Sequence, residues 1–204
     1  MTKQTRLFLA EYEQKVMNLP PELKEYTIES MLHESANGAT YRLVKDDGTR
    51  AVLKVRPLSK KELLKDEAKI LQSLDADGHM APRLYLSFTD EQYAFLVREF
   101  LEGVTLEEYY EKHGDLSEDA LCFIGQSLCL CVAGLQEQKP PIIHRDIKPQ
   151  NCILTPDGQI RLMDFDTART YKDKQDSDTR FLGTKTTAAP EQYGFAQSDV
   201  RTDL

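Results

Sequence analysis

Eight consecutive residues, His144-Arg145-Asp146-Ile147-Lys148-Pro149-Gln150-Asn151, followed at short range by Asp164-Phe165-Asp166, constrain this chain more than any other stretch. Between them lie two apolar runs, Cys152-Ile153-Leu154-Thr155 and Ile160-Arg161-Leu162-Met163, separated by Pro156-Asp157-Gly158-Gln159. Short apolar runs around a Pro-Asp-Gly turn spell a β-hairpin. Pairing centred on that turn sets the Asn151 amide oxygen and the Asp164 carboxylate side by side at its open end, with Asp146 on the loop just ahead.

Two hard oxygen ligands at one spot suit Mg²⁺, which takes carboxylate, amide and phosphate oxygens and keeps several waters. A further carboxylate, Asp146, and an ammonium, Lys148, suggest phosphoryl transfer, where a protein supplies position and charge neutralisation rather than covalent chemistry. The pattern His-Arg-Asp-x-Lys-x-x-Asn followed by Asp-Phe-x resembles the catalytic and metal-binding loops of serine/threonine protein kinases, here of the bacterial, eukaryotic-like type. The resemblance implies an α+β, two-lobed protein kinase-like fold. Residues 1–25 would form a helical extension and residues 26–98 an antiparallel β N-lobe with one helix. Residues 99–204 would form the hinge and a mostly helical C-lobe, incomplete at its C-terminal end.

At 204 residues, with 40% hydrophobic and 29% charged content, the chain is long enough to bury a core. A formal net charge of -8 argues against attraction to nucleic acid or an anionic membrane surface. No signal-like segment opens the chain, and no apolar run is expected to reach the roughly 20 residues that span a bilayer. A cytoplasmic protein, or the cytoplasmic part of a longer one, is expected. Cys122, Cys129, Cys131 and Cys152 show no C-x-x-C spacing and are expected to be packed, reduced thiols.

In chain order, Leu7, Phe8, Tyr12, Val16 and Leu19 mark a short amphipathic helix that stops at Pro20-Pro21. Strands follow at 26–32, 40–44 and 51–55, the first two joined by a connection at 33–39. There the kinase family carries a G-x-G-x-x-G loop over ATP phosphates; His33, Ser35 and Gly38 stand at its glycine positions, so one glycine remains. Lys54 sits mid-strand among apolar residues, where an unpaired ammonium is expensive. Ser59-Lys60-Lys61-Glu62 reads as a capping box opening a helix with an apolar stripe of Leu63, Leu64, Ile70, Leu71 and Leu74, and Glu67 falls on that stripe. A core-facing glutamate one helix after a core-facing lysine suggests an ion pair. Further strands at 84–88 and 93–97 lead to Arg98-Glu99-Phe100-Leu101, then capped helices begin at Thr105 and Ser117.

The resemblance assigns Asp146 as the base that orients the acceptor hydroxyl and Lys148 as a neutraliser of the transferred phosphoryl. Lys54 would hold ATP phosphates with Glu67 as its partner. ATP would be held at Ser35, Gly38, Ala51, Lys54, Glu99, Leu101, Asn151 and Asp164, and Mg²⁺ by Asn151 and Asp164. Arg98 replaces the apolar residue usual at the back of the pocket. Asp166 replaces the glycine of Asp-Phe-Gly, where tolerance of positive φ would help. Gly183-Thr184 and Ala189-Pro190-Glu191 resemble the end of an activation segment, whose threonines, with Arg145 as receiver, make phosphorylation an expectation. Protein substrates and self-association through the incomplete C-lobe follow. The alternatives are a pseudokinase scaffold, favoured by the lost glycines, and a small-molecule phosphotransferase, opposed by Lys148 and the 183–191 motifs.

Overall fold

A computed structural model describes residues 19–35, 37–74, 80–171, 188–193 and 197–204. The expected helix over residues 3–18, together with Gly183, Thr184 and most of the activation-segment threonines, lies outside them. The chain divides into two compact units, Met1–Leu64 with Tyr85–Phe100, and Lys65–Leu84 with Leu101–Leu204.

The first unit is built on β1 (Tyr26–Ser35), β2 (Gly38–Lys45), β3 (Arg50–Pro57), β4 (Leu84–Thr89) and β5 (Tyr93–Glu99), in the sheet order β1-β2-β3-β5-β4. β1, β2, β3 and β5 pair antiparallel, with Leu53 facing Tyr41 on one side and Val97 on the other. One face of the sheet is apolar at alternate positions, as period-two geometry requires. Tyr41, Leu43, Ala51, Leu53, Val55, Tyr93, Phe95 and Val97 pack there with Leu23. The Phe88 ring stacks on Phe95 at 4.7 Å. Leu43 and Leu53 are wholly buried, each worth about 1.5–3 kcal/mol.

The first connection is tighter than expected. β1 runs on to Ser35, His33 pairs with Thr40, and Ser35 faces Gly38, so the pairing reaches well into the expected 33–39 connection. Two irregularities in β1 register, at Ile28/Ser30 and Met31/His33, absorb the extra length. Gly38, at φ 135°, lies so close to β3 that a Cβ there would stand 2.1 Å from the Val55 carbonyl oxygen. The surviving glycine therefore has a packing reason within this sheet.

α1 (Lys61–Leu74) buries Leu64, Glu67, Ala68, Ile70, Leu71 and Leu74, while Leu63 is exposed, contrary to its place in the expected stripe. The chain enters the helix through a 3-10 turn, Leu58–Lys60, which Pro57 precedes.

The second unit carries α2 (Leu106–His113) and α3 (Glu118–Glu137), the sheet β6 (Val104–Thr105), β8 (Cys152–Leu154) and β9 (Ile160–Leu162), and the ribbon β7 (Ile142–Ile143) with β10 (Arg169–Thr170). Thr105 and Glu108 form a reciprocal capping box and Ser117 caps α3, both at the expected residues. α3 packs on β7 and β9 through Cys131, Val132 and Leu135. Its other faces leave Leu121, Phe123 and Leu130 exposed. At 20 residues and a mean hydropathy of 1.4, with 17% of that stretch buried, α3 is long and apolar enough by composition to cross a bilayer. The expectation that no run reaches that length is corrected: Gln126 and Ser127 break the run of apolar letters but carry no charge.

Two of the four thiols are packed and two are not. Cys122 and Cys129 are exposed on α3, against expectation, because they lie off its buried stripe. Burial pushes the Cys131 thiol up, and burial together with the neighbouring Cys131 pushes Cys152 up to about 12. Both buried thiols donate to carbonyls, Cys131 to Ile160 at 3.3 Å and Cys152 to Lys148 at 3.2 Å.

Candidate active site

The hairpin forms, with a shorter ladder and a wider turn. Cys152 faces Leu162 and Leu154 faces Ile160. Pro156, Asp157 and Gly158 make a three-residue turn, closed by Thr155 N–H to the Gln159 carbonyl at 2.9 Å and by Gly158 at φ 80°. That turn shifts the register by one residue: Met163 N–H donates to the Asn151 carbonyl at 2.9 Å, and Asp164 follows one position beyond.

Asn151 is 5% exposed and gives both its amide hydrogens to Asp146, one to the backbone oxygen at 2.9 Å and one to Oδ2 at 2.8 Å. Lys148 Nζ meets the same Oδ2 at 2.8 Å. Two donors on one carboxylate oxygen hold the plane of the acid and orient Oδ1. With its nitrogen committed to Asp146, the Asn151 carboxamide has its oxygen left as an acceptor.

Asp164 lies in a group of carboxylates with Glu67 and Asp166, one oxygen from each falling within 4.8 Å of the others. Asp166 N–H also reaches Asp164 Oδ1 at 3.4 Å. Asp166 is therefore a neighbour of Asp164, the expected metal ligand, which its reading as a glycine substitute missed. Among the described non-glycine residues only Arg145 has positive φ, so Asp166 does not use the left-handed conformation expected of it. These carboxylate oxygens are hard donors of the kind that Mg²⁺ takes.

Arg145, at φ 66°, occupies a conformation uncommon for a side chain of its size. Its N–H donates to Asp203 Oδ1 at 2.8 Å, its Nε–H to the Thr167 carbonyl at 2.6 Å, and its carbonyl accepts from Gln192 Nε2 at 2.7 Å. Asp203 Oδ2 also accepts from His144 N–H at 2.6 Å, and Thr167 Oγ1 donates to the His144 carbonyl at 3.1 Å. Asp203, Thr167 and Gln192 thus hold the loop. No local signal singles them out, because each acts through the backbone of a distant segment.

His144 is wholly buried, its ring edge-on to Phe165 at 4.7 Å, and its Nδ1 accepts from Asp146 N–H at 3.4 Å. Burial lowers its pKa from 6.5, opposed by the charges of Asp203, Asp164 and Asp146. The unfolded chain therefore binds a proton below about pH 6.5 that the native state refuses, so stability is full above that pH and falls as pH drops through it, by at most about 1.4 kcal/mol per unit. Denaturant unfolding at pH 7.5 and 5.5 should show that loss, and His144→Phe should flatten it.

The remaining predicted residues are placed as follows. On β3, Lys54 is 4% exposed between Leu53 and Val55, and Ala51 is fully buried opposite Glu99. Glu67, on α1 in the second unit, is 1% exposed. The Ser35 hydroxyl closes the β1–β2 tip, donating to the Gly38 carbonyl at 3.3 Å and accepting from Asn37 N–H at 3.2 Å. Arg98 is 6% exposed and its Nη1 donates to the Glu99 carbonyl at 3.2 Å, so a guanidinium occupies the backbone oxygen of a residue expected to hold ATP. Leu101 is 7% exposed. Pro190–Tyr193 forms a 3-10 turn, and Glu191 accepts from Thr202 Oγ1 at 2.5 Å.

Residues 26–204 match the family described as protein kinase domain. The chain is similar to 3-phosphoinositide-dependent protein kinase 1 of Arabidopsis thaliana, 29% identical across 78% of this chain and 35% of that protein. It is 34% identical to serine/threonine-protein kinase CBK1 of Pneumocystis carinii across 61% of this chain and 25% of the relative. A probable serine/threonine-protein kinase of Clostridium perfringens is 31% identical across 57% and 17%. The chain thus spans about a third or less of the length of these relatives.

Proposed function

The chain belongs to the protein kinase family, and from that premise we propose that it transfers the γ-phosphoryl of Mg-ATP to serine or threonine hydroxyls of proteins. The observation that carries the reading is the Asp146 carboxylate, one oxygen of which receives both Lys148 and Asn151. The first supplies positive charge for the phosphoryl and the second joins the base to the metal-binding end of the hairpin. Asp146 would take the acceptor proton as the bond to phosphorus forms. Mg²⁺, held by Asn151 and Asp164, would offset charge on the phosphates. Lys54 would hold those phosphates and Glu67 would be its counter-ion, roles supported by the burial of both side chains, since a buried charge needs an opposite one. Lysine at 148 favours serine and threonine acceptors; the bacterial, eukaryotic-like type has the support of the Clostridium relative alone, beside plant and fungal ones.

Radiolabel from γ-labelled ATP, offered to a generic serine/threonine-rich protein and to small alcohols with and without EDTA, tests this. Label on protein Ser and Thr, lost with EDTA, is the expected result. Label on the alcohols would identify a small-molecule phosphotransferase. No label, with Mg-ATP still raising the melting temperature, would identify a scaffold, the reading that Asp166 and the single glycine of the first connection favour.

The reading extends to a cytoplasmic location and to self-association, the latter supported by exposed Leu121, Phe123 and Leu130 on α3. Sedimentation should show mass rising with concentration, and Leu130→Asp should return the chain to monomer; a monomer throughout would remove the claim.

A further inference from the structure

We propose that Gln192 is a positioning residue for the catalytic loop, its carboxamide setting the peptide plane that carries Asp146. The inference rests on the reading of Asp146 as the base. Gln192 is 3% exposed on the Pro190–Tyr193 turn. Its Nε2 donates to the Arg145 carbonyl at 2.7 Å, while its Oε1 accepts from Ala189 N–H at 2.9 Å. A primary carboxamide is suited to this, because one planar group must donate to a carbonyl and accept from an amide. The carbonyl it holds belongs to the peptide linking Arg145 to Asp146. Arg145 is in the left-handed region, so that plane has no support from an ordinary backbone well. On the other side of Arg145, Asp203 holds the N–H. Two side chains from different segments thus clamp both peptide planes around the residue before the base, and a small rotation of the second plane would swing the Asp146 carboxylate away from Lys148 and the acceptor hydroxyl.

The test uses Gln192→Met, which keeps length but loses both hydrogen bonds, and Gln192→Glu. In the latter an ionised carboxylate faces the Arg145 carbonyl, whereas the protonated acid can donate to it as the amide does. In Gln192→Met, kcat should fall on the order of 10–100-fold, with the KM for ATP held within about twofold. For Gln192→Glu, the ratio of its kcat to that of the unmodified chain should climb as pH drops from about 8 to about 6, because burial beside a carbonyl raises a carboxyl pKa. Hydrogen exchange across residues 144–151 should quicken in Gln192→Met. An unchanged kcat and unchanged exchange would overturn the proposal. So would a fall in melting temperature with kcat and ATP affinity lost together and no recovery of Gln192→Glu at low pH. If Gln192→Met does not fold, the pH ratio of Gln192→Glu decides. If the unmodified chain transfers no phosphate, the kinase reading fails, and exchange alone judges the clamp.

Discussion

Asp146→Asn is expected to lower phosphoryl transfer by on the order of 10²–10⁴, the usual contribution of a positioned general base. The substitution keeps an oxygen where Lys148 and Asn151 meet at 2.8 Å each, so the loop keeps its geometry and loses one charge and its basicity. The melting temperature, and its rise on adding Mg-ATP, should therefore change little. Single-turnover transfer beside a thermal-shift titration separates the two effects. A variant as active as the unmodified chain would remove Asp146 from the chemistry. One that no longer responds to Mg-ATP would make it a structural or metal-holding group instead.

The largest loss of stability is expected at Phe165. It is 1% exposed, lies edge-on to the His144 ring, and its carbonyl accepts from Ala168 N–H at 3.1 Å. Phe165→Ala should cost about 3–5 kcal/mol, the usual transfer and cavity cost of a buried aromatic. For a chain of this size that corresponds to a melting temperature lowered by about 6–20 °C. Because the ring is placed between the two loops that carry Asp146 and Asp164, the cavity should also reduce activity in the protein that remains folded at low temperature. A loss below about 1 kcal/mol would mean that neighbours refill the space.

The octet, the hairpin and the succession of strands along the chain could be read from local pattern, because alternation, turn chemistry and caps act over a few residues. Thr105 with Glu108, and Ser117, are cases where a cap named its helix. Asp146, Lys148 and Asn151 were legible for the same reason: one short segment brings them together. The register of the hairpin was not, since a three-residue turn with Gly158 left-handed moves Asp164 one place along. The length of the first connection was missed because bulges in β1 leave no mark in the sequence. The exposure of Leu63, Cys122 and Cys129 was missed because apolar letters on a helix do not say which of them a neighbour will cover. Asp203, Thr167 and Gln192 were beyond reach for a different reason: each serves the backbone of a segment far away.

That last point bears on how the loop comes to exist during folding. The hydrogen bonds that hold His144 and Arg145 join residues 22 to 59 positions apart, and loop-closure entropy grows slowly with such separations, by about 0.6 kcal/mol per doubling. The ribbon of β8 and β9 can zip early, whereas the bend at Arg145 waits for three distant partners. The octet is therefore not a portable cassette: cut out with its hairpin and placed on another scaffold, it would carry the right letters and relax to an ordinary loop.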